Sequence, residues 1–114
     1  MRYQSTILYV PDVPAAVAFY EAAFGLERSA VEPSKEYMEL HGDGAGLAFA
    51  HESMRPAAAA FEVWLADEDV AEAVRRAVEA GAELVKEPEI KPWGQTVAYV
   101  RDPHGVLVEL GTPV

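Results

Sequence analysis

The 114-residue chain contains no cysteine, an absence that excludes disulfide stapling, thiolate nucleophiles and zinc–thiolate centres. Basic charge is scarce too. Nine Lys and Arg stand against 19 Asp and Glu, a formal net charge of −10 that repels nucleic acid and anionic lipid. That charge either selects cationic partners or simply keeps a small protein in solution. No apolar run approaches the ~20 residues a membrane span needs. The start MRYQSTILYV has no basic segment followed by a signal-like core, so the expectation is a cytoplasmic protein without nucleic-acid or membrane partners. No Ser/His/Asp spacing and no phosphate-binding glycine loop is present. Any chemistry must therefore come from His, carboxylates, hydroxyls and packing.

What the chain does contain is a repeat. Asp12, Val13, Ala16, Val17 and Ala23 recur as Asp69, Val70, Ala73, Val74 and Ala80, at a constant separation of 57 residues. Each copy follows a short apolar run, STILYV and then AFEVWL, and precedes segments that alternate as strands do. The pattern predicts two tandem βαβββ modules. A chain of this length supports one domain with a continuous core, so we expect residues 1–114 to form a single domain. Module one covers about 1–52, a linker about 53–59 and module two about 60–114.

In module one a strand is expected over 5–10, with Thr6, Leu8 and Val10 on one side and Ser5, Ile7 and Tyr9 on the other. Asp12 is an N-cap candidate. Val13, Val17, Tyr20 and Phe24 then share one helical face, and Gly25 ends the helix. Strands near 27–32, 36–41 and 46–51 follow, separated by Pro33-Ser34 and by Gly42-Asp43-Gly44. In module two Phe61, Val63 and Leu65 alternate with Ala60, Glu62 and Trp64. A helix capped by Asp67 or Asp69 should turn Val70, Val74, Ala77 and Val78 inward and close at Gly81. Strands near 83–86, 95–101 and 106–111 complete the copy. The fold class is α+β: a curved mixed sheet with its helices on the outer face and a concave trough on the other.

The C-terminal run from Pro92-Trp93-Gly94 through Asp102-Pro103-His104-Gly105 to Glu109-Leu110, with the helix run Asp12 to Gly25 ending in FYEAAFG, resembles the vicinal oxygen chelate superfamily. Its members include glyoxalases, extradiol dioxygenases and bleomycin-resistance proteins. The resemblance implies a metal held by side chains from four strands. Carried over residue by residue, those places fall on Ser5, on Ala50 or Ala48, on Ala60 and on Glu109, and only Glu109 can ligate. One carboxylate cannot hold a transition metal in open octahedral geometry, so no metal and no other cofactor is expected. His41, His51 and His104, at strand ends and in a turn, read as solvated.

Period-two alternation puts Glu62 and Trp64 on the trough side of the fifth strand, and Leu107 and Glu109 on the trough side of the eighth. Tyr9 lines the equivalent first strand, and register decides whether Tyr37, Glu39 and Tyr99 join them. Trp93 sits on the loop entering the seventh strand, where it either borders a ligand groove or fixes the loop. Glu109 is either an anion for a ligand or the partner of a nearby Arg. Aromatics interleaved with carboxylates suit stacking and charge selection of a flat cation, although aromatics in a half-buried sheet also serve as packing. The leading reading is a bleomycin-resistance-type protein that sequesters a planar, cationic antibiotic or metabolite without chemistry. The expected ligand-binding residues are Tyr9, Tyr37, Glu39, Glu62, Trp64, Trp93, Tyr99 and Glu109, and no residue is assigned to catalysis. The alternative is a metal-dependent glyoxalase- or dioxygenase-like enzyme with a degenerate site. A third possibility is an interaction domain whose trough is only a dimer interface. A homodimer is expected in any case, either side by side or with modules exchanged through the hinge Ala57-Ala58-Ala59.

Overall fold

The computed structural model describes residues 1–30, 34–42, 44 and 46–113. The chain divides into two compact units, Ser5–Phe61 and Glu62–Val114, the latter grouping with Met1–Gln4. Each repeats the order βαβββ.

The first unit contains β1 (Arg2–Val10, from Ser5 onward), α1 (Val13–Phe24), β2 (Glu27–Arg28), β3 (Tyr37–His41) and β4 (Gly46–His51). The strands lie in the order β2-β3-β4-β1, with β1 parallel to β4 and the other neighbours antiparallel. Asp12 caps α1 by accepting from the Ala15 N–H at 3.1 Å, and Pro14 occupies the first turn, where no donor is needed. Gly25 stops the helix at φ 68°, a left-handed position that a side chain would strain. Val13 and Val17 pack on Met38, Leu40 and Phe49, with Leu8, Val10 and Tyr20 at the margin of the cluster. Phe24 does not complete the inward row expected of it. It is 63% exposed, because the helix ends there, and it stacks edge-on with Phe19 instead.

The strand expected over 27–32 is only two residues long where it is described. Residues 31 and 32, Pro33 of the Pro33-Ser34 turn and Asp43 of the glycine turn lie outside the described residues. The linker is ordered as a 3-10 turn at Glu52–Met54 and is tied down by Arg55. Its guanidinium donates to the Glu52 carbonyl at 3.2 Å and to the Ala59 carbonyl at 3.3 Å.

The second unit contains β5 (Phe61–Ala66, from Glu62 onward), α2 (Val70–Glu79), β6 (Glu83–Ile90), β7 (Thr96–Arg101) and β8 (Leu107–Gly111), in the order β5-β8-β7-β6. β5 runs parallel to β8, and the remaining pairs are antiparallel. Asp69 is the cap of α2, accepting from Glu72 N–H at 3.1 Å. Asp67 instead accepts from Asp69 N–H and pairs with Arg76. Val70, Ala73 and Val74 pack on Ala98, Val100 and Leu110, with Leu65, Ala77 and Val108 alongside. Val78, expected inward, is 45% exposed because it follows this apolar stripe around the side of the helix. β6 runs four residues beyond expectation, through Pro88. It lies at the end of the strand order, and a register irregularity between Lys86 and Glu89 accommodates a residue that cannot donate to the ladder.

Candidate functional site

Since Leu65, Val108, Leu110, Ala98 and Val100 face α2, pleating turns the intervening residues of β5, β7 and β8 to the opposite side of the second unit's sheet. The register aligns them in a row: Trp64 lies opposite Glu109, and Glu109 lies opposite Tyr99. Tyr99 donates its hydroxyl to Glu109 Oε1 at 3.1 Å. Glu62, a fully buried glutamate, lies on the same face two residues before Trp64. Burial pushes the Glu109 carboxyl above the ordinary carboxylate range, while Glu62, the hydrogen bond from Tyr99 and the charge of Lys91 oppose that rise. Burial, then the charges of Glu109 and Glu62, drive the Tyr99 hydroxyl up as well, which keeps it a donor.

The next row is Ala66, Gly111 and Val97. A Cβ on Gly111 would lie 3.0 Å from Trp64 Nε1, 3.0 Å from Gln95 Nε2 and 3.5 Å from Glu109 Oε2. Three polar groups therefore converge over one missing side chain. Gln95 is held there by donating to the Thr112 carbonyl at 2.8 Å, and its Oε1 accepts from Trp93 Nε1 at 2.9 Å. Trp64 is only 6% exposed, yet its indole N–H meets no acceptor among the described residues. Such a donor costs about 1–3 kcal/mol when left unsatisfied, and this one is aimed into the cluster. A separate concavity of about 410 Å³ lies on the α2 side, among Leu65, Ala77, Val100 and Leu110, away from these acids.

Of the residues singled out from sequence, the fold brings Glu62, Trp64, Tyr99 and Glu109 together. Trp93 is 65% exposed, and its indole N–H donates to Gln95. In the first unit, Tyr9 and Tyr37 flank Ala50 in one row away from α1. Tyr37 donates to Glu39 Oε2 at 2.5 Å. Ser5, on the same side of β1 as Ile7 and Tyr9, is buried, and its Oγ has no partner among the described residues. Gln95 and Gly111 were missed by sequence reasoning. The only available signal was the PWGQ turn and a glycine closing a strand, neither of which names a side chain's neighbours.

One assignment carried over by resemblance needs correction. The 57-residue repeat maps Ser5 onto Glu62, and Ile7 opposite Ala48 matches Trp64 opposite Glu109. Ala60 is exposed and precedes β5, so the third ligand place falls on Glu62, and the second on Ala48 rather than Ala50. The four places thus offer one hydroxyl, one methyl and two carboxyls. Among the described residues no group of three or more His, Asp or Glu could hold a metal ion. The donor set does not fit the metal of the resembling enzymes. His51 uses Nδ1 to accept from Ser53 N–H, and His41 and His104 are exposed.

A family model, the Glyoxalase/Bleomycin resistance protein/Dioxygenase superfamily, matches residues 2–110. The chain belongs to that superfamily. No curated protein sequence matches it. Among solved structures it is similar to a superfamily member from Vibrio splendidus 12B01, at 20% identity and a TM-score of 0.75, covering 97% of this chain and 99% of that one. It is also similar to Streptomyces coelicolor methylmalonyl-CoA epimerase in complex with 2-nitronate-propionyl-CoA, at 22% identity and 0.71, covering 100% and 95%. A third is described as NAD-dependent benzaldehyde dehydrogenase from Legionella pneumophila, at 16% identity and 0.81, covering 96% and 97%. At these identities the likeness establishes the fold and not an activity.

Proposed function

We propose that this superfamily member is a small-molecule binding protein of the bleomycin-resistance type, acting in the cytoplasm on a planar, cationic organic ligand. The supporting observation is the row Trp64, Glu109 and Tyr99 with Glu62 beside it: buried carboxyls between aromatic rings, with an indole N–H that a ligand acceptor would satisfy. Such a surface supplies stacking area and charge selection without an electrophile or nucleophile. Tyr9, Tyr37, Glu39 and Trp93 belong to the proposed ligand set as well. The proposal includes a homodimer, and a 12.4 kDa monomer in sedimentation at micromolar concentration would remove that part. The test of binding is a titration of basic glycopeptides, aromatic peptides and anthracycline-type compounds against tryptophan fluorescence. Saturable quenching supports the reading, and no response at high micromolar concentration overturns it.

A second reading, an enzyme of the superfamily, is favoured by one observation: a buried carboxyl raised above its ordinary range is a proton-transfer group in waiting. Turnover of an activated thioester or a hemithioacetal, lost in Glu109→Gln, would establish it over sequestration.

A further inference from the structure

The 57-residue repeat carries Tyr20 of α1 onto Ala77 of α2. The strands keep the same correspondence, since Leu8 lies opposite Phe49 in the first unit and Leu65 opposite Leu110 in the second. Between helix and sheet, however, the two copies are filled differently. In the first, the Tyr20 ring packs on Phe49 with centroids 5.0 Å apart, and Leu26, the residue after the helix-ending Gly25, joins the same cluster. In the second, Ala77 stands in the place of Tyr20, Leu110 in that of Phe49, and Ala82, the residue after Gly81, in that of Leu26. Each of the three is smaller. The concavity of about 410 Å³ opens at that spot, with Ala77, Ala82 and Leu110 in its wall beside Leu65 and Val108.

Apolar walls without a filling side chain forfeit dispersion contacts, which a molecule of matching shape restores. An apolar cavity of about 150 Å³ is enough to take benzene, and ligand pockets span roughly 300–1,000 Å³. The charges at the rim are partnered within the protein. Arg76 and the Met1 ammonium both reach Asp67 Oδ2, at 3.4 and 3.8 Å, while Asp102 Oδ1 accepts from the His104 and Val106 N–H groups at 2.8 and 2.9 Å. The mouth therefore offers polar contacts without calling for a charged ligand. We infer that this pocket between α2 and its sheet is a second binding site, and that its ligand is an uncharged single-ring aromatic of phenol size, held where the first copy holds the Tyr20 ring. The ring packs on Ala77, Val108 and Leu110, and the hydroxyl stays at the mouth beside Arg76 and Asp102. The site lies on the helix side of the sheet, so it is independent of the row of Trp64, Glu109 and Tyr99 and of the function proposed for that row.

The probe is p-cresol, the tyrosine side chain as a free molecule, followed through the methyl resonances of the ¹³C-labelled full chain. Saturable shifts at millimolar concentration should centre on Ala77, Ala82, Val108 and Leu110, and the melting temperature should rise with cresol. Ala77→Tyr supplies the ring covalently. It should abolish the shifts and, without cresol, melt above the wild type. Ala82→Leu narrows the pocket from another wall and should weaken binding even where a tyrosine at position 77 does not fit. No saturable shift, or binding that survives both substitutions, overturns the site. Shifts centred on Trp64 and Tyr99 instead put the probe in the other row and overturn it too. Cresol binding that weakens as protein concentration rises makes a second copy of the chain the occupant, and that also overturns it. Failure of the cationic compounds to quench tryptophan fluorescence removes the function proposed for the row and leaves this site standing.

Discussion

Tyr99 reaches directly across the β7–β8 ladder to Glu109, its hydroxyl 3.1 Å from Oε1, so the donor and the carboxyl are fixed by two strands of one sheet rather than by loops. Removing the hydroxyl in Tyr99→Phe should cost about 1–3 kcal/mol, the range for leaving a buried polar partner unsatisfied. Since that bond holds the Glu109 carboxyl down, the same substitution should raise it further. Denaturant unfolding reads the first effect and a ¹³C titration the second. A variant as stable as the wild type, with Glu109 unmoved, would mean the contact does not persist in solution.

Gly111 is required for space and not for backbone freedom, since it lies in regular strand and a Cβ there would sit 3.0 Å from both Trp64 Nε1 and Gln95 Nε2. Gly111→Ala should cost about 1–3 kcal/mol, the usual price of overpacking, and should displace Trp64 or Gln95. The check is thermal melting together with the intrinsic fluorescence of Trp64. Unchanged melting and an unchanged spectrum would show that the convergence over Gly111 is looser than the distances state.

What was legible in the sequence follows from how far each signal reaches along the chain. Asp12 and Asp69 could be found as caps because the bond each makes spans three residues. The face shared by Glu62 and Trp64 came from alternation alone. The placing of Glu109 opposite Trp64 could not be read, because it depends on the parallel pairing of β5 with β8 across most of the second module. No local pattern encodes that register. The same limit misplaced the third ligand position on Ala60, although the 57-residue repeat already pointed from Ser5 to Glu62. Phe24 and Val78 matched helical periods but lie where the helix has run past its core, so periodicity overstated the buried face.

Stability should depend on pH through Glu109 in a definite direction. Its carboxyl is raised in the folded protein, so its contribution is fully present below the ordinary carboxylate range. As pH rises, the unfolded chain loses this proton first, and the contribution falls until the folded carboxyl has also ionised. Over that window each pH unit costs about 1.4 kcal/mol per proton held only by the folded state. Glu109→Gln carries no such proton. Urea unfolding from acid to neutral pH should therefore show the variant gaining on the wild type as pH rises, and parallel curves would refute the raised carboxyl.

Metal ions should leave the melting temperature unchanged. An ion bound only to the folded state at 100 times its dissociation constant would add about 2.7 kcal/mol, which a thermal scan detects without difficulty. Only two of the four ligand places hold carboxyls, and the places matching them in the first module hold Ser5 and Ala48. A rise of several degrees with manganese, nickel or zinc that disappears in Glu109→Gln would overturn this account of the donor set.

For a ligand confirmed by fluorescence, Trp64→Ala and Glu109→Gln should weaken binding by different physics. Loss of the indole removes stacking area and a cation–π partner, about 1–3 kcal/mol that should vary little with salt. Loss of the Glu109 charge removes an attraction that mobile ions partly screen, so its cost should shrink as ionic strength rises. That shrinkage should be modest, because Glu109 is only 9% exposed and a buried charge is screened less than a surface one. Affinities measured across a salt series separate the two. If neither substitution changes the affinity, the ligand sits elsewhere, and the row of Trp64, Glu109 and Tyr99 is packing.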